Sequence, residues 1–210
     1  MKPRGRFISL EGPDGSGKST VIRGLQKALQ ERGVDVITTR EPGGSPIAEQ
    51  IREVILNVNN TAMDGRTEAL LYAASRRQHL VETIIPTLDK GQWVLSDRFV
   101  DSSLAYQGVA RQIPQEEVWT INQFAIEGQL PDLTLLLDVP AEVGLERIQK
   151  ARGQRQYDRL DRESLNFHQK VRQAFLDLAA ENDRIVLIDA NMTYDAVIER
   201  CLEVIAERLN

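Results

Sequence analysis

The residues with the most specific chemistry form one short run near the start of the chain. The run consists of Gly12, Pro13, Asp14, Gly15, Ser16, Gly17, Lys18 and Ser19, followed by Thr20. It matches the pattern G-x-x-x-x-G-K-[ST], in which glycines let successive backbone N–H groups point into one bowl that holds phosphate. Lys18 would reach the β- and γ-phosphates of a nucleotide, and the Ser19 hydroxyl would ligate Mg²⁺.

The segments on either side of this run are those that a phosphate-binding loop needs. Residues 7–10, Phe-Ile-Ser-Leu, are β-prone and would form the strand that leads into the loop. Residues 19–32 carry Val21, Ile22 and Leu25 at helical spacing. Because a chance glycine-rich turn rarely lies between a strand and an amphipathic helix, we interpret the run as a phosphate-binding loop.

Composition and charge narrow the class of protein. The chain has 210 residues, of which 41% are hydrophobic, so it can bury one substantial core. The net charge of −5 disfavours a general nucleic-acid-binding protein, and no apolar run is long enough to span a membrane. Because Cys201 is the single cysteine, an intrachain disulfide framework is excluded. Cys201 lies in an apolar helical pattern, which predicts a small buried side chain. The histidines His79 and His168 lack metal-ligand spacing and are expected to be structural. We expect a cytoplasmic protein with neither a nucleic-acid nor a membrane partner.

Short β-prone runs alternate with helical runs, which predicts an α/β fold with a parallel sheet and helices on both faces. Two of the runs, at residues 133–137 and 185–188, are almost continuously apolar, as central parallel strands are. The last helix is predicted over residues 194–209. The predicted strands span residues 6–11, 34–39, 92–97, 132–138 and 184–189.

Polar residues follow the carboxyl ends of the first three predicted strands, where open α/β sheets bind their ligands. Glu11 leads into the phosphate-binding loop, the turn at residues 40–44 follows the second strand, and Asp97 and Arg98 follow the third. Arg40 could clamp a phosphate through two hydrogen bonds, or Arg40 and its neighbour could be solvated loop charges. Asp97 could be the carboxylate on the Mg²⁺ side, and Arg98 offers a second phosphate contact.

A predicted helix over residues 67–89 supplies side chains that could bind a base. Tyr72 and Arg76 are four residues apart and share one helix face, as a stacking ring and a hydrogen-bonding group would. Either residue could instead belong to ordinary core or surface. Polar side chains within two turns of the third strand could hydrogen-bond a sugar and base or restrict their size. They are Ser103, Tyr106 and Gln107.

The stretch over residues 147–162 is rich in arginine and has few apolar residues. It overlaps the end of one regular helical pattern, at residues 141–151, and precedes another at about 163–180. A solvated loop would have this composition, but in a chain of net charge −5 such a cluster favours anion binding. We interpret it as a mobile lid that brings arginines to a transferring phosphoryl group. The arginines are Arg147, Arg152, Arg155, Arg159 and Arg162.

Taken together, these motifs resemble the thymidylate kinase family. The matching segments are residues 12–20, 40–44, 74–79 and 97–108. The match is collinear from about residue 7 to residue 209, and residues 97–107 are its most specific part, since many unrelated proteins share a bare phosphate-binding loop. The resemblance implies a P-loop nucleoside monophosphate kinase fold with a five-stranded parallel sheet and a mobile lid at about 147–162, in one domain over residues 1–210. It also implies the reaction ATP + dTMP → ADP + dTDP with Mg²⁺, and a homodimer.

The resemblance further implies a role for each matching residue. Asp14 matches an acid near the sugar 3′-hydroxyl group. Tyr72 matches an aromatic ring that stacks on thymine, and Arg76 matches an arginine that contacts a base carbonyl. Arg40 and Arg98 match residues near the acceptor phosphate.

The remaining matching residues bear on the sugar and on catalysis. Tyr106 matches a tyrosine that disfavours a 2′-hydroxyl group, and Ser103 and Gln107 match residues that line the base and sugar. Because the dTMP phosphate is already anionic, the reaction needs no strong general base. Catalysis would rest on positioning and on charge neutralisation by Lys18, Arg98, Mg²⁺ and the lid arginines.

Members of the family carry a catalytic arginine either in the phosphate-binding loop or in the lid. The variable loop positions here, residues 13–16, contain no arginine, so this chain resembles the lid-arginine subtype. Arg152 and Arg155 are the best candidates, followed by Arg159. The spacing at residues 154–157 departs from the expected lid pattern, so the resemblance does not decide which arginine reaches the phosphates.

The residues alone leave three alternatives. One is another nucleotide kinase, acting on dCMP, UMP or a nucleoside, and the base-pocket residues Tyr72, Arg76 and Ser103 decide between these acceptors and dTMP. A regulatory GTPase normally selects guanine with an Asn-Lys-x-Asp run, which the sequence lacks. An assembly ATPase would hydrolyse ATP without dTMP and would need a partner surface. The apolar stretches at residues 70–85 and 118–124 could form the dimer face or could be plain core.

Overall fold

The computed structural model describes residues 3–150 and 163–209. It contains one five-stranded sheet with the order β2-β3-β1-β4-β5, and every neighbouring pair of strands is parallel. The predicted α/β fold with a five-stranded parallel sheet is therefore confirmed. The strands are β1 (Phe7–Glu11), β2 (Val36–Arg40), β3 (Trp93–Asp97), β4 (Leu133–Asp138) and β5 (Ile185–Asp189).

The strands form where apolar residues can be buried on both faces of the sheet. Every residue of β1 is buried, and so is β4 up to its last residue. Central strands covered by helices on both faces need this continuous apolar character. Each predicted strand overlaps an observed one, and the observed strands begin one or two residues later. The predicted end of β2 at residue 39 moves to Arg40, which pairs in register with Asp97.

Helices connect the strands and cover both faces of the sheet. The helix predicted over residues 67–89 is helical throughout but not regular, because a π-helical segment at Leu80–Ile84 separates α3 from α4. A second π-helical segment, Leu104–Ala110, follows α5 directly. The last helix is confirmed at its predicted bounds. The helices are α1 (Lys18–Glu31), α2 (Pro46–Leu56), α3 (Gly65–His79), α4 (Ile85–Asp89), α5 (Val100–Ser103), α6 (Gln115–Ile126), α7 (Ala141–Lys150), α8 (Leu165–Glu181) and α9 (Tyr194–Leu209).

The apolar core lies on both faces of the sheet. On one face, α1 and α9 pack on the central strands, and Cys201 lies fully buried among them. Burial raises the pKa of the Cys201 thiol to about 12, so this side chain behaves as the small hydrophobe that the sequence predicts. On the other face, the π-helical segment Leu80–Ile84 and helix α4 pack with Phe7 and Phe99. Two layers of helices thus hold the carboxyl ends of the strands in fixed register.

Among the described residues, no helix is both long enough and apolar enough to cross a membrane.

Candidate active site

The loop between β1 and α1 has the conformation that phosphate binding requires. Gly15 and Gly17 adopt positive φ angles of 77° and 92°, which side chains rarely tolerate. A Cβ atom at Gly15 would also lie 2.1 Å from the carbonyl oxygen of Gly144 on α7. Gly17 directly precedes the first residue of α1, so the loop delivers its N–H groups at the positive end of a helix dipole.

Lys18 lies inside this loop and is 7% exposed. Its Nζ atom donates to the carbonyl oxygens of Gly12 and Pro13, at 2.9 Å each, and to Ser16 Oγ at 3.3 Å. Burial and the nearby Arg98 guanidinium lower the pKa of the Lys18 ammonium group to about 8. An anion at the loop would offset both effects, so the site favours a phosphate beside this amine.

Ser19 and Asp97 come together as the sequence predicts. Ser19 Oγ donates to Asp97 Oδ2 at 2.7 Å, across the gap between the start of α1 and the end of β3. A hydroxyl and a carboxylate are hard oxygen ligands of the kind that Mg²⁺ takes beside nucleotide phosphates. The donor set therefore fits a magnesium ion, and a cleft of about 490 Å³ opens beside it.

Arg98 joins the phosphate-binding loop to the helix that follows β3. Its guanidinium donates to Asp14 Oδ1 at 2.6 Å and to the Tyr106 hydroxyl at 3.2 Å, and Tyr106 donates to Asp14 Oδ2 at 2.8 Å. Burial raises the pKa of Asp14, but the charges of Arg98 and Lys18 more than offset it and bring the pKa to about 2. Asp14 is therefore a carboxylate at neutral pH, held with Arg98 at the junction of two cavities.

The second cavity lies beside the first and contains the predicted base-binding residues. Its walls are Glu41, Tyr72, Arg76, Arg98, Ser102, Ser103, Tyr106 and Gln107. Tyr72 also lines the larger cleft, so the two cavities share a wall. The structure therefore brings together the predicted residues from α3 and from the segment after β3.

Arg76 is almost completely buried, at 1% exposure, so the interpretation as an ordinary surface residue is wrong. Its Nε donates to Glu41 Oε2 at 2.7 Å, and one Nη2 hydrogen goes to the Phe99 carbonyl at 3.0 Å. Its Nη1 donates to Ser103 Oγ at 3.0 Å and to Asn122 Oδ1. These partners come from three separate segments, namely the turn after β2, residues 99–103 and α6, which fixes the guanidinium in the cavity wall.

Arg40 lies at the rim of the larger cleft, and its side chain is 48% exposed. It donates two hydrogen bonds to Glu49, at 2.8 and 2.9 Å, so its bidentate partner in this structure is a carboxylate of α2.

Glu41, the residue after Arg40, is only 5% exposed, so the alternative interpretation of Glu41 as a solvated loop charge is wrong. Glu41 accepts from Arg76 and lies 3.1 Å from His79 Nδ1, which places the buried His79 in a structural network.

Several buried polar residues that support the site were not predicted. Asn122 lies on the buried face of α6 with Val118 and Ala125, a helical pattern in which a polar residue stands out. Glu68 lies four residues before Tyr72 on α3 and accepts from Gln107 Nε2 at 2.8 Å. The sequence shows both residues as polar positions within helical patterns. The contacts with Arg76 and Gln107 span 39 or more positions in the chain, so spacing alone did not identify them.

The predicted lid falls largely outside the described residues. Four of the predicted lid arginines lie outside the described residues, namely Arg152, Arg155, Arg159 and Arg162. Arg147, at the end of α7, lines the larger cleft and donates both Nη groups to the Ala190 carbonyl at 3.3 Å. His168 is 2% exposed, and its Nε2 atom has no hydrogen-bond partner in the described structure.

A groove of about 610 Å³ between α1 and α9 is larger than the cleft at the phosphate-binding loop. It contains none of the predicted site residues and no phosphate-binding element. We nevertheless take the 490 Å³ cleft at the phosphate-binding loop as the candidate active site. It has the loop, the paired hydroxyl and carboxylate, and a second polar cavity beside it at the carboxyl ends of the strands.

A phosphate-binding loop with an adjoining polar cavity at the carboxyl ends of a five-stranded parallel sheet is the arrangement of a P-loop nucleotide kinase. A sequence model described as thymidylate kinase matches residues 10–201. The chain belongs to the thymidylate kinase family, which confirms the resemblance found in the sequence.

Curated relatives agree with this assignment over nearly the whole chain. A protein of Latilactobacillus sakei named thymidylate kinase is 58% identical, with 97% of this chain and 95% of the relative covered. A thymidylate kinase of Geobacillus sp. (strain WCH70) is 55% identical, with 98% of each covered. One of Pediococcus pentosaceus is 57% identical, with 98% and 99% covered.

Proposed function

We propose that the chain transfers the γ-phosphoryl group of ATP to dTMP, giving dTDP and ADP. Family membership over residues 10–201 supports the reaction, and relatives named thymidylate kinase match at 55–58% identity. The observation that carries the assignment to this site is the pair of adjoining cavities, which meet at Tyr72 and Arg98. Two nucleotides bound there would have their phosphates facing each other.

The larger cleft is assigned to the ATP phosphates. The loop over residues 12–20 would hold the β-phosphate with backbone N–H groups, and the Lys18 ammonium would move from loop carbonyls to phosphate oxygens. This exchange is favourable because the buried ammonium gains an anionic partner in place of neutral acceptors. Lys18 then neutralises charge on the transferring group.

Ser19 and Asp97 are the residues that would hold Mg²⁺ in this cleft. When bound, the ion supplies charge neutralisation on the phosphate oxygens. Asp97 lies at the end of β3 and Ser19 in the first turn of α1, so the sheet and helix fix the spacing of the two ligands. The ion would thereby be placed next to the loop that binds the phosphates.

The second cavity is only about 20 Å³, so dTMP is assigned to this cavity together with the adjoining part of the larger cleft, where Arg40 and Arg98 lie. Arg98 would contact the acceptor phosphate, with Arg40 at the rim as a further contact once it leaves Glu49. Asp14 would face the 3′-hydroxyl region, and Tyr106 would leave no room for a 2′-hydroxyl group. The base would stack on Tyr72. The remaining wall residues around the base and sugar are Arg76, Ser103 and Gln107.

The hydrogen bonds of Arg76 suggest how the base is selected. A guanidinium has five N–H donors, and the described contacts use four of them. The remaining donor, on Nη2, suits a carbonyl acceptor on the base. Thymine and uracil present a carbonyl at ring position 4, whereas cytosine presents an amino group, so dCMP would leave two donors facing each other.

The chemical step needs positioning and charge neutralisation rather than a general base, because the acceptor phosphate oxygen is already anionic. Lys18 and Arg98 both line the larger cleft, and both would neutralise charge on this oxygen. We assign Arg152 and Arg155 to the same step, because residues 13–16 of the loop contain no arginine. They would come from a lid at about residues 147–162.

We further propose that the protein acts as a homodimer in the cytoplasm and that residues 1–210 form one kinase domain. The apolar stretch at residues 70–85 contains both buried and exposed side chains. Leu80 and Ile84 are core, whereas Leu70 is 57% exposed on α3. Phe124 on the adjacent helix α6 is 87% exposed. Exposed apolar side chains on two neighbouring helices support the subunit contact.

A panel of monophosphates tests the acceptor assignment. Purified protein with ATP and Mg²⁺ is offered dTMP, dUMP, dCMP, dGMP, UMP and AMP separately, and ADP release is followed. We expect dTMP to be the best acceptor and dUMP a weaker second. A preference for dCMP or UMP would contradict the roles given to Arg76 and Tyr106 and would favour another nucleotide kinase.

A further inference from the structure

Glu11 is a buried acidic residue for which the proposed mechanism has no use. It is the last residue of β1, it is 0% exposed, and it lines neither cavity. Burying a carboxyl group is unfavourable unless its oxygens are hydrogen-bonded. The partners of Glu11 therefore indicate what the residue does for the fold.

Both oxygens of Glu11 contact the segment that follows β3. The backbone N–H of Phe99 donates to Oε1 at 2.6 Å, and Ser102 Oγ donates to Oε2 at 2.6 Å. Phe99 directly follows Arg98, and Ser102 lies on α5 one turn further on. Glu11 thus holds the chain on both sides of the point where Arg98 leaves the strand.

Arg98 needs such support because its backbone is left-handed, with φ at 75°. This conformation is uncommon for a residue with a side chain and persists only where the surroundings determine it. The Arg98 N–H donates to the Leu10 carbonyl at 2.9 Å, and its own carbonyl accepts from Ser96 Oγ at 2.7 Å. The contact from Glu11 to the Phe99 N–H fixes the next peptide group, which completes the constraint.

The side chain of Arg98 is tied to Glu11 as well. Its Nη1 atom donates to Ser102 Oγ at 3.0 Å, and the same hydroxyl donates to Glu11 Oε2. Ser102 therefore relays the position of Glu11 to the guanidinium. The backbone path through Phe99 and the side-chain path through Ser102 both end at Arg98.

We propose that Glu11 is a positioning residue for phosphoryl transfer, which sets the backbone and the guanidinium of Arg98 against the acceptor phosphate through Phe99 and Ser102. This inference rests on the proposed function, in which Arg98 contacts that phosphate. It gives the last residue of β1 a role in acceptor use, although Glu11 touches neither nucleotide.

The charge state of Glu11 suits a positioning role and supplies a conservative variant. Burial and the nearby Asp101 carboxylate raise the pKa of Glu11 to about 8, which favours the neutral form of the side chain. A glutamine has the same shape and is neutral. Its carbonyl can accept from the Phe99 N–H while its amide donates to Ser102 Oγ, which can still accept from Arg98.

Steady-state kinetics of Glu11→Ala and Glu11→Gln, each in the wild-type and the Arg98→Ala background, test the inference. For Glu11→Ala we expect kcat/KM for dTMP to fall about 10–100-fold and no further than for Arg98→Ala, since misplacing a catalytic group costs at most as much as removing it, while KM for ATP stays within about twofold. Glu11→Gln should retain activity within about fivefold. In the Arg98→Ala background, Glu11→Ala should cost less than about threefold.

Asp132→Ala is the matched control, because Asp132 also accepts a backbone N–H, that of Phe7 at 2.7 Å, but at the opposite end of β1. It should leave kcat/KM for dTMP unchanged. If Glu11→Ala does not fold, as thermal unfolding would reveal, Ser102→Ala replaces it in the same cycle. We expect Ser102→Ala to cost about tenfold in the wild-type background and almost nothing without Arg98.

Losses that multiply in the double variants would overturn the inference, and so would a Glu11→Gln variant as poor as Glu11→Ala. Equal damage to ATP and dTMP parameters would also overturn it and would indicate a general role in folding. A wild-type protein that does not phosphorylate dTMP would refute the proposed function itself, and the inference with it. The two failures are therefore distinguishable.

Discussion

Lys18 is held in an environment that disfavours its charge. Burial and Arg98 lower its pKa from 10.5 to about 8, which corresponds to a cost on the order of 3 kcal/mol for keeping the ammonium in the folded protein. Because the folded pKa is lowered, this cost is present below about pH 8 and disappears above the unfolded value. The buried ammonium thus lowers the free energy of unfolding, and it places a positive charge where phosphate is proposed to bind.

Replacement of Lys18 by alanine should therefore separate activity from stability. We expect Lys18→Ala to lower kcat by about 10³-fold, since a charge that neutralises the transferring group is lost. The melting temperature should stay the same or rise, because the unfavourable buried charge is removed. ADP release and thermal unfolding measure the two effects. A variant that retains activity would remove Lys18 from the mechanism.

Arg98 should matter for the acceptor more than for the donor. We expect Arg98→Ala to raise KM for dTMP by about 10–100-fold, the range for hydrogen bonds to charged groups, with a much smaller change for ATP. Arg172→Ala is the control, because Arg172 also donates two hydrogen bonds to a carboxylate at a strand end, Asp138, at 2.8 Å each. Unchanged dTMP kinetics for Arg98→Ala would make the acceptor-phosphate assignment wrong.

The strands of the sheet and the phosphate-binding loop could be predicted from the sequence. Short apolar runs between helical patterns gave the five strands to within two residues, because buried parallel strands need such runs. The rule that ligands bind at the carboxyl ends of strands then placed Asp97 and Arg98 beside the loop. Local pattern and topology were enough for these features.

The buried network around Arg76 could not be read in the same way. A guanidinium on an amphipathic helix is compatible with surface or core, and the choice depends on partners far along the chain. Here Glu41 comes from the turn after β2 and Asn122 from α6. The π-helical segment at Leu80–Ile84 was missed as well, because apolar spacing does not distinguish it from a regular helix. Such features depend on tertiary packing.

The role of α6 in the base cavity can be tested through Asn122. We expect Asn122→Ala to raise KM for dTMP about tenfold, because Arg76 loses one of its partners, while KM for ATP changes little. The free energy of unfolding should fall by about 1–3 kcal/mol, since a buried donor is left unpaired. Gln123→Ala, at an exposed position of the same helix, is the control. If ATP and dTMP parameters change together, α6 has only a structural role.

Helices α3 and α6 present apolar side chains on the surface of the molecule, as a subunit interface would. Phe124 is 87% exposed and Leu70 is 57% exposed. We expect the wild-type protein to be a dimer by light scattering and Phe124→Glu to shift it towards monomer, because a buried unpaired charge opposes association. Leu187→Glu, at a 49% exposed apolar position on β5, should leave the dimer intact. A wild-type monomer at micromolar concentration would contradict the homodimer proposal.

The cleft and the cavity beside it are proposed to hold two nucleotides whose phosphates meet between Lys18 and Arg98. ADP release from ATP and Mg²⁺, measured with and without dTMP and together with the amount of dTDP formed, is the first experiment for this proposal. We expect ADP release to depend on dTMP and one dTDP to form for each ADP. ADP release at the same rate without any monophosphate would contradict it and would favour an assembly ATPase.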